Sequence, residues 1–119
     1  MKAEAQVDSR ERAQQLIHDL YNRLIKRPNL SETLTDITDV LLLVYRKLDD
    51  TKNNPEALVN RLVNYIYRVG FDHRIHFDKE EEHLLIELGA IAGRAGFNGV
   101  YRSDAGNKAQ FYSVFDGQW

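Results

Sequence analysis

Residues 53–70 read NNPEALVNRLVNYIYRVG, and they hold a start signal, a periodic interior and a stop. Asn54 is suited to accept hydrogen bonds from first-turn amides, and Pro55 at the first helical position gives up an amide that would have no partner there. Leu58, Val59, Leu62, Val63, Ile66 and Val69 then recur at steps of three and four, which places them on one side of an α-helix. Gly70 is expected to end it. The spacing predicts a helix over 55–69 with one apolar face, and that face must be buried against other elements.

The same period occurs three more times. After a polar N-terminus expected to fray, Ala13, Leu16, Ile17, Leu20, Tyr21 and Leu24 predict a helix over 9–26. Pro28 with Asn29 breaks it, and Ser31 caps a helix predicted over 31–50 with Leu34, Ile37, Leu41, Val44, Tyr45 and Leu48 inward. FDHRIHF (71–77) reads as a connector whose Ile75 and Phe77 tuck under the other helices. Asp78 with Glu81 has the spacing of a capping box, and an acidic first turn suits the helix dipole. Leu84, Leu85, Leu88, Ile91, Ala92 and Ala95 carry this last helix over 79–95. Four helices with short joints predict an all-α chain: an antiparallel four-helix bundle with a non-helical, aromatic C-terminal tail over 96–119, in one domain spanning 1–119. Gly89 and Gly93 each cost a helix interior about 1 kcal/mol relative to Ala. A close approach is therefore expected there, by a neighbouring helix or by the returning tail.

At 119 residues with 43% hydrophobic content, the chain can build one core without metals or crosslinks. The absence of cysteine excludes disulfides and thiolate metal sites and fits a reducing cytoplasm. The start, MKAEAQVDSRERAQQ, lacks the apolar core of a signal peptide, and the longest apolar run, Val40 to Val44, is far too short to insert in a membrane. A net charge of -2 and an isoelectric point near 6.1 offer no general attraction for nucleic acid or anionic lipid.

Site chemistry is sparse. His73 and His76 with Asp72 and Asp78 fall in the connector and read as a solvated loop, so no metal is expected. Glu80 with His83 is a single Glu-x-x-His step, whereas a di-metal bundle needs two such steps and two further inward carboxylates. No nucleophile elbow, phosphate loop or zinc-helix motif occurs, so neither catalysis nor a cofactor is expected. Arg61, Arg68 and Arg74, interleaved with Tyr65 and Tyr67, have the residue types of an RNA surface, but the acidic balance favours a solvated helix face.

LVNRLVNYIY (58–67) followed by GFNGVYRSDAGNKAQF (96–111), with AQQLIHDLYNRL (13–24) and VYRKLDD (44–50) before them, closely resembles the immunity proteins for class IIa, or pediocin-like, bacteriocins of the enterocin A and mundticin type from lactic acid bacteria. The resemblance implies a left-turning antiparallel four-helix bundle, cytoplasmic and not an enzyme. It also implies that the chain protects its producer by engaging the bacteriocin-occupied mannose phosphotransferase permease from the inside, with the C-terminal half selecting the bacteriocin resisted. The family motif falls on Gly96, Asn98, Gly99, Tyr101, Arg102, Asp104, Gly106, Lys108, Gln110 and Phe111.

Physical roles for these residues can be argued separately. Asn98 with Gly99 is a turn signal. Val100, Tyr101 and Phe111 carry apolar surface to bury, Arg102 and Lys108 are cationic donors, and Asp104 is placed to orient either. The chain departs from the family pattern by continuing as YSVFDGQW (112–119), where Tyr112 and Phe115 are expected to clasp the core and Trp119 either to meet a partner or to anchor between helices. The candidate partner-binding residues are Arg94, Asn98, Tyr101, Arg102, Asp104, Lys108, Phe111, Tyr112 and Trp119. The alternative is a soluble helical adaptor for an amphipathic partner helix or the free bacteriocin. A monomer is expected, since no long apolar seam is left over.

Overall fold

The computed structural model describes residues 2–94, 96 and 106–112, with residues 2–8 as backbone alone. The helices are α1 (Lys2–Ile25), α2 (Glu32–Lys47), α3 (Pro55–Asp72) and α4 (Lys79–Arg94), followed by a single 3-10 turn at Lys108–Phe111. Among the described residues there is no strand. α1 and α3 each pack against both α2 and α4, and they also touch across the diagonal.

Side chains bridging the helices fix their directions. Arg10, early in α1, donates to the carbonyls of Leu48, Asp50 and Asn53 beyond the far end of α2. Arg23 near the end of α1 and Arg27 just past it reach Glu80 and Glu81 at the start of α4, while Arg12, a few turns earlier, donates to Glu87 at 2.6 Å. The Arg12 guanidinium holds the Glu87 carboxyl below the usual carboxylate range. Neighbours thus run antiparallel, as short joints require.

The helix starts form as their sequences direct. Ser31 accepts from the Leu34 amide at 3.1 Å and Asn54 from the Ala57 amide at 3.0 Å, with Pro55 in the first turn. At α4 the box closes in both directions: the Glu81 amide donates to Asp78 at 2.8 Å, and the Asp78 amide donates to Glu81 at 3.0 Å. Glu81 is only 2% exposed, and its remaining acceptor capacity is taken by Arg27, which also donates to the His76 carbonyl at 2.9 Å. This buried carboxylate lies outside the apolar pattern, because its inward direction is set by capping. Otherwise the predicted stripes form the core, with Tyr21, Tyr45 and Leu84 half-buried at its edge and Val40, Thr38 and Tyr65 added to it. Ala95 lies outside the described residues.

Several expectations need correction. α1 begins at Lys2 rather than near Ser9, because Ala, Glu and Gln are strong helix formers and nothing breaks the run, although the apolar period starts only at Ala13. α2 stops at Lys47, three residues short of the prediction, and Asn53 then ties the turn by donating to the Lys47 carbonyl at 2.8 Å.

Gly70 does not end α3, which runs to Asp72. Its missing side chain instead admits the connector: a Cβ there would lie 3.2 Å from the Phe77 ring. The stop is made by Arg74, at a φ of 55°. Its amide donates to the Phe71 carbonyl at 3.3 Å and the Ile75 amide to the Gly70 carbonyl at 2.8 Å, the Schellman pattern with arginine where glycine is usual. Ile75 and Phe77 pack against the core, as the sequence suggested.

No described residue makes the close approach expected at Gly89 and Gly93, since none lies within 4 Å of a Cβ placed at either position; the tail over 97–105 and 113–119, the other expected neighbour, lies outside the described residues.

Candidate functional site: the junction of the tail with α2 and α3

The described part of the tail docks on α2 and α3. Asn107 caps the 3-10 turn by accepting from the Ala109 amide at 2.9 Å. That turn drives Phe111 inward until it is 2% exposed, with its ring edge-on to Tyr65 of α3 at 5.3 Å and 80°. Such a T-shaped pair sets the positive edge of one ring against the negative face of the other. Gly106 lets the chain lie flat on α3, since a Cβ there would be 3.0 Å from Arg68 Cγ and 3.4 Å from Val69 Cγ1.

An ionic cluster lies beside this plug. Lys108 Nζ donates to Asp36 Oδ1 at 2.9 Å and to Asp39 Oδ2 at 3.2 Å, both on α2, and lies 5.7 Å from the centre of the half-exposed Tyr112 ring. The hydrogen bond to Asp36 leads the causes that hold the Lys108 ammonium above the usual lysine value. Tyr65 is pushed up to about 12, first by burial and then by the charge of Asp36. The phenol therefore stays neutral and the lysine charged at physiological pH. Three elements distant in sequence meet here through one apolar plug and one ion-pair network.

Of the predicted contact residues, this junction gathers Lys108, Phe111 and Tyr112. Phe111 serves as core and offers no surface to a partner, whereas Tyr112 is open to one. Arg94 is exposed in the last turn of α4. Asn98, Tyr101, Arg102, Asp104 and Trp119 lie outside the described residues, as do Val100 and Phe115.

Sequence reasoning missed Asp36, Asp39 and Tyr65. A signal for the two aspartates was present: they lie one turn apart on α2, and Glu32, Val40, Thr35 and Leu43 at their i±4 positions offer no cation. Tyr65 and Tyr67, read together with Arg61, Arg68 and Arg74, separate in the structure. Tyr65 is core, and Arg68 is paired with Asp72 at 3.0 Å. In the connector, Asp78 is committed to the cap of α4. Glu80 faces Arg23, and His83 lies 2.7 Å from Glu87. An open groove of about 670 Å³ runs between α1 and α4, lined by Asp19, Arg23, Lys26, Lys79, Glu80 and His83 among others, so that it carries both basic and acidic groups.

With this arrangement established, comparison with known proteins gives a definite result. The family model described as the bacteriocin immunity protein family matches residues 11–92. The chain belongs to that family. The probable leucocin-A immunity protein of Leuconostoc gelidum is 56% identical over 81 residues, which is 68% of this chain and 71% of that protein. The probable mesentericin-Y105 immunity protein of Leuconostoc mesenteroides is 55% identical over 82 residues, 69% of this chain and 72% of that protein. No solved structure matches. In this family member the matched span contains Asp36, Asp39 and Tyr65 but stops short of the tail segment they receive. Its function is bacteriocin immunity, of the class IIa kind, and the family is not an enzyme family by name.

Proposed function

We propose that the chain protects a producing cell against its own class IIa bacteriocin by binding the bacteriocin-occupied mannose phosphotransferase permease from the cytoplasmic side. Identity of 55–56% with two immunity proteins, over 81 and 82 residues, carries this reading. Among the described residues no helix is long and apolar enough to cross a membrane. The bundle is the scaffold and the protein works as a monomer in the cytoplasm. The junction holds the tail in register, with Lys108 and Phe111 as fasteners. Arg94, Asn98, Tyr101, Arg102, Asp104, Tyr112 and Trp119 are the proposed contacts.

The test is survival. The full chain, and a version stopped after Phe111, are expressed in a bacteriocin-sensitive strain and challenged with a panel that includes leucocin A and mesentericin Y105. Protection against a subset is expected, with membrane association that disappears in cells lacking the permease. No protection by an abundant, folded protein would overturn the reading. A second reading, capture of the free bacteriocin, has one observation in its favour: exposed apolar side chains on α3 and α4. Titration of purified protein with the peptide separates the two, since micromolar or tighter binding without the permease supports capture.

A further inference from the structure

Three of the large apolar side chains left exposed fall on one seam, the outer junction of α3 with α4. Tyr67 and Phe71 lie one turn apart on α3 and are 38% and 84% exposed. Glu82 and Ile86 lie one turn apart on α4, with Ile86 59% exposed. α3 and α4 pack directly against each other, which sets the two pairs side by side, and after burial the charge of Glu82 raises the Tyr67 phenol. Beyond Ile86 the same face of α4 continues through Gly89 and Gly93, where no described atom lies within 4 Å of an added Cβ. A nearly bare phenylalanine gains nothing for the fold by its position.

The electrostatics of the seam select an occupant. Glu82 has no ion-pair partner among the described residues. Phe71 sits in the last turn of α3, which itself holds no basic residue, with the exposed Arg74 three residues beyond it. Lys79, the nearest lysine in sequence, lines the groove on the other side of α4. Aromatic rings beside an exposed carboxylate without an ion-pair partner suit a cation carried on an apolar segment. They do not suit anionic lipid.

The geometry points to the Tyr67–Phe71–Glu82–Ile86 seam as a docking face for a short apolar segment bearing lysine or arginine, supplied by the cytoplasmic side of a membrane protein. Segments flanking membrane spans on that side are enriched in Lys and Arg, which is the composition the seam fits. This rests on the reading that the chain acts at a permease from inside the cell.

A photo-crosslinking phenylalanine analogue is placed at position 71 of the full chain, in bacteriocin-sensitive cells treated with leucocin A. The expected result is an adduct with a permease subunit that maps to a cytoplasmic segment containing Lys or Arg. Phe71→Ser and Glu82→Lys are each expected to lower the tolerated bacteriocin concentration about tenfold or more, as loss of an interface anchor does. Leu30→Ser, which removes an exposed apolar group from the α1–α2 loop, is expected to leave protection intact. Circular dichroism and thermal unfolding check that each variant is folded. An adduct with lipid alone, an adduct with an acidic segment, or full protection by both seam variants would overturn the docking face. If the wild-type chain does not copurify with the permease, the functional reading falls with it; if it copurifies but forms no adduct, the docking face alone is overturned.

Discussion

Phe111→Ala tests whether the tail is held by its apolar plug or by its ion pairs. The side chain is 2% exposed and packs edge-on against Tyr65 at 5.3 Å. Truncating a core phenylalanine to alanine costs about 3–5 kcal/mol, of which an aromatic pair accounts for about 0.5–1.5 kcal/mol beyond burial. The competing attachment, Lys108 to Asp36 and Asp39, joins groups that are each partly solvated. Pairs of that kind contribute about 0.2–1 kcal/mol apiece. Phe111→Ala should therefore lower stability by at least about 1 kcal/mol more than Lys108→Ala, and Phe111→Leu should fall between them. Urea unfolding measures this through the midpoint at unchanged slope. In thermal scans the Phe111→Ala loss corresponds to roughly 12–20 °C, at about 4 °C per kcal/mol for a domain of this size. A loss below about 1 kcal/mol, or one matched by Lys108→Ala, would refute the reasoning and make the tail an ionic appendage.

The remaining expectations concern the bundle. Arg27→Ala leaves the buried Glu81 carboxylate without its cation and should cost about 3–5 kcal/mol, whereas Arg23→Ala removes a solvated pair and should cost under about 1 kcal/mol; chemical denaturation of the two variants gives the comparison. Gly89→Ala and Gly93→Ala meet no described neighbour and should each raise stability by about 0.5–1 kcal/mol in the same assay. Tyr65 and Lys108 both have folded pKa values raised above their unfolded ones, near 10 and 10.4. Their stabilisation is complete below about pH 10 and is lost as the pH rises through the folded values. Urea midpoints should therefore decline on the alkaline side, and Tyr65→Phe and Lys108→Ala should each flatten the decline.

Much was legible in the chain because its signals are local. The stripes, the Ser31 and Asn54 caps, Pro55 and the Asp78–Glu81 box each depend on residues within a turn or two, and helical geometry turns that spacing directly into a face or a cap. The family, too, could be read from short segments in order. Wherever a position answers to something distant, local reading failed. Gly70 looks like a stop but is a seat for Phe77, and Arg74 performs the reversal because the connector holds it there. Tyr65 breaks the apolar period of α3, yet it is buried because Phe111, arriving from the tail, covers it. Asp36 and Asp39 gain their meaning only when Lys108 comes down between them. The four-helix bundle followed from the sequence, since amphipathic spacing is a property of neighbours along the chain. The place of the tail and the bare Phe71 seam were decided by tertiary packing, which alone determines which outer surfaces are covered.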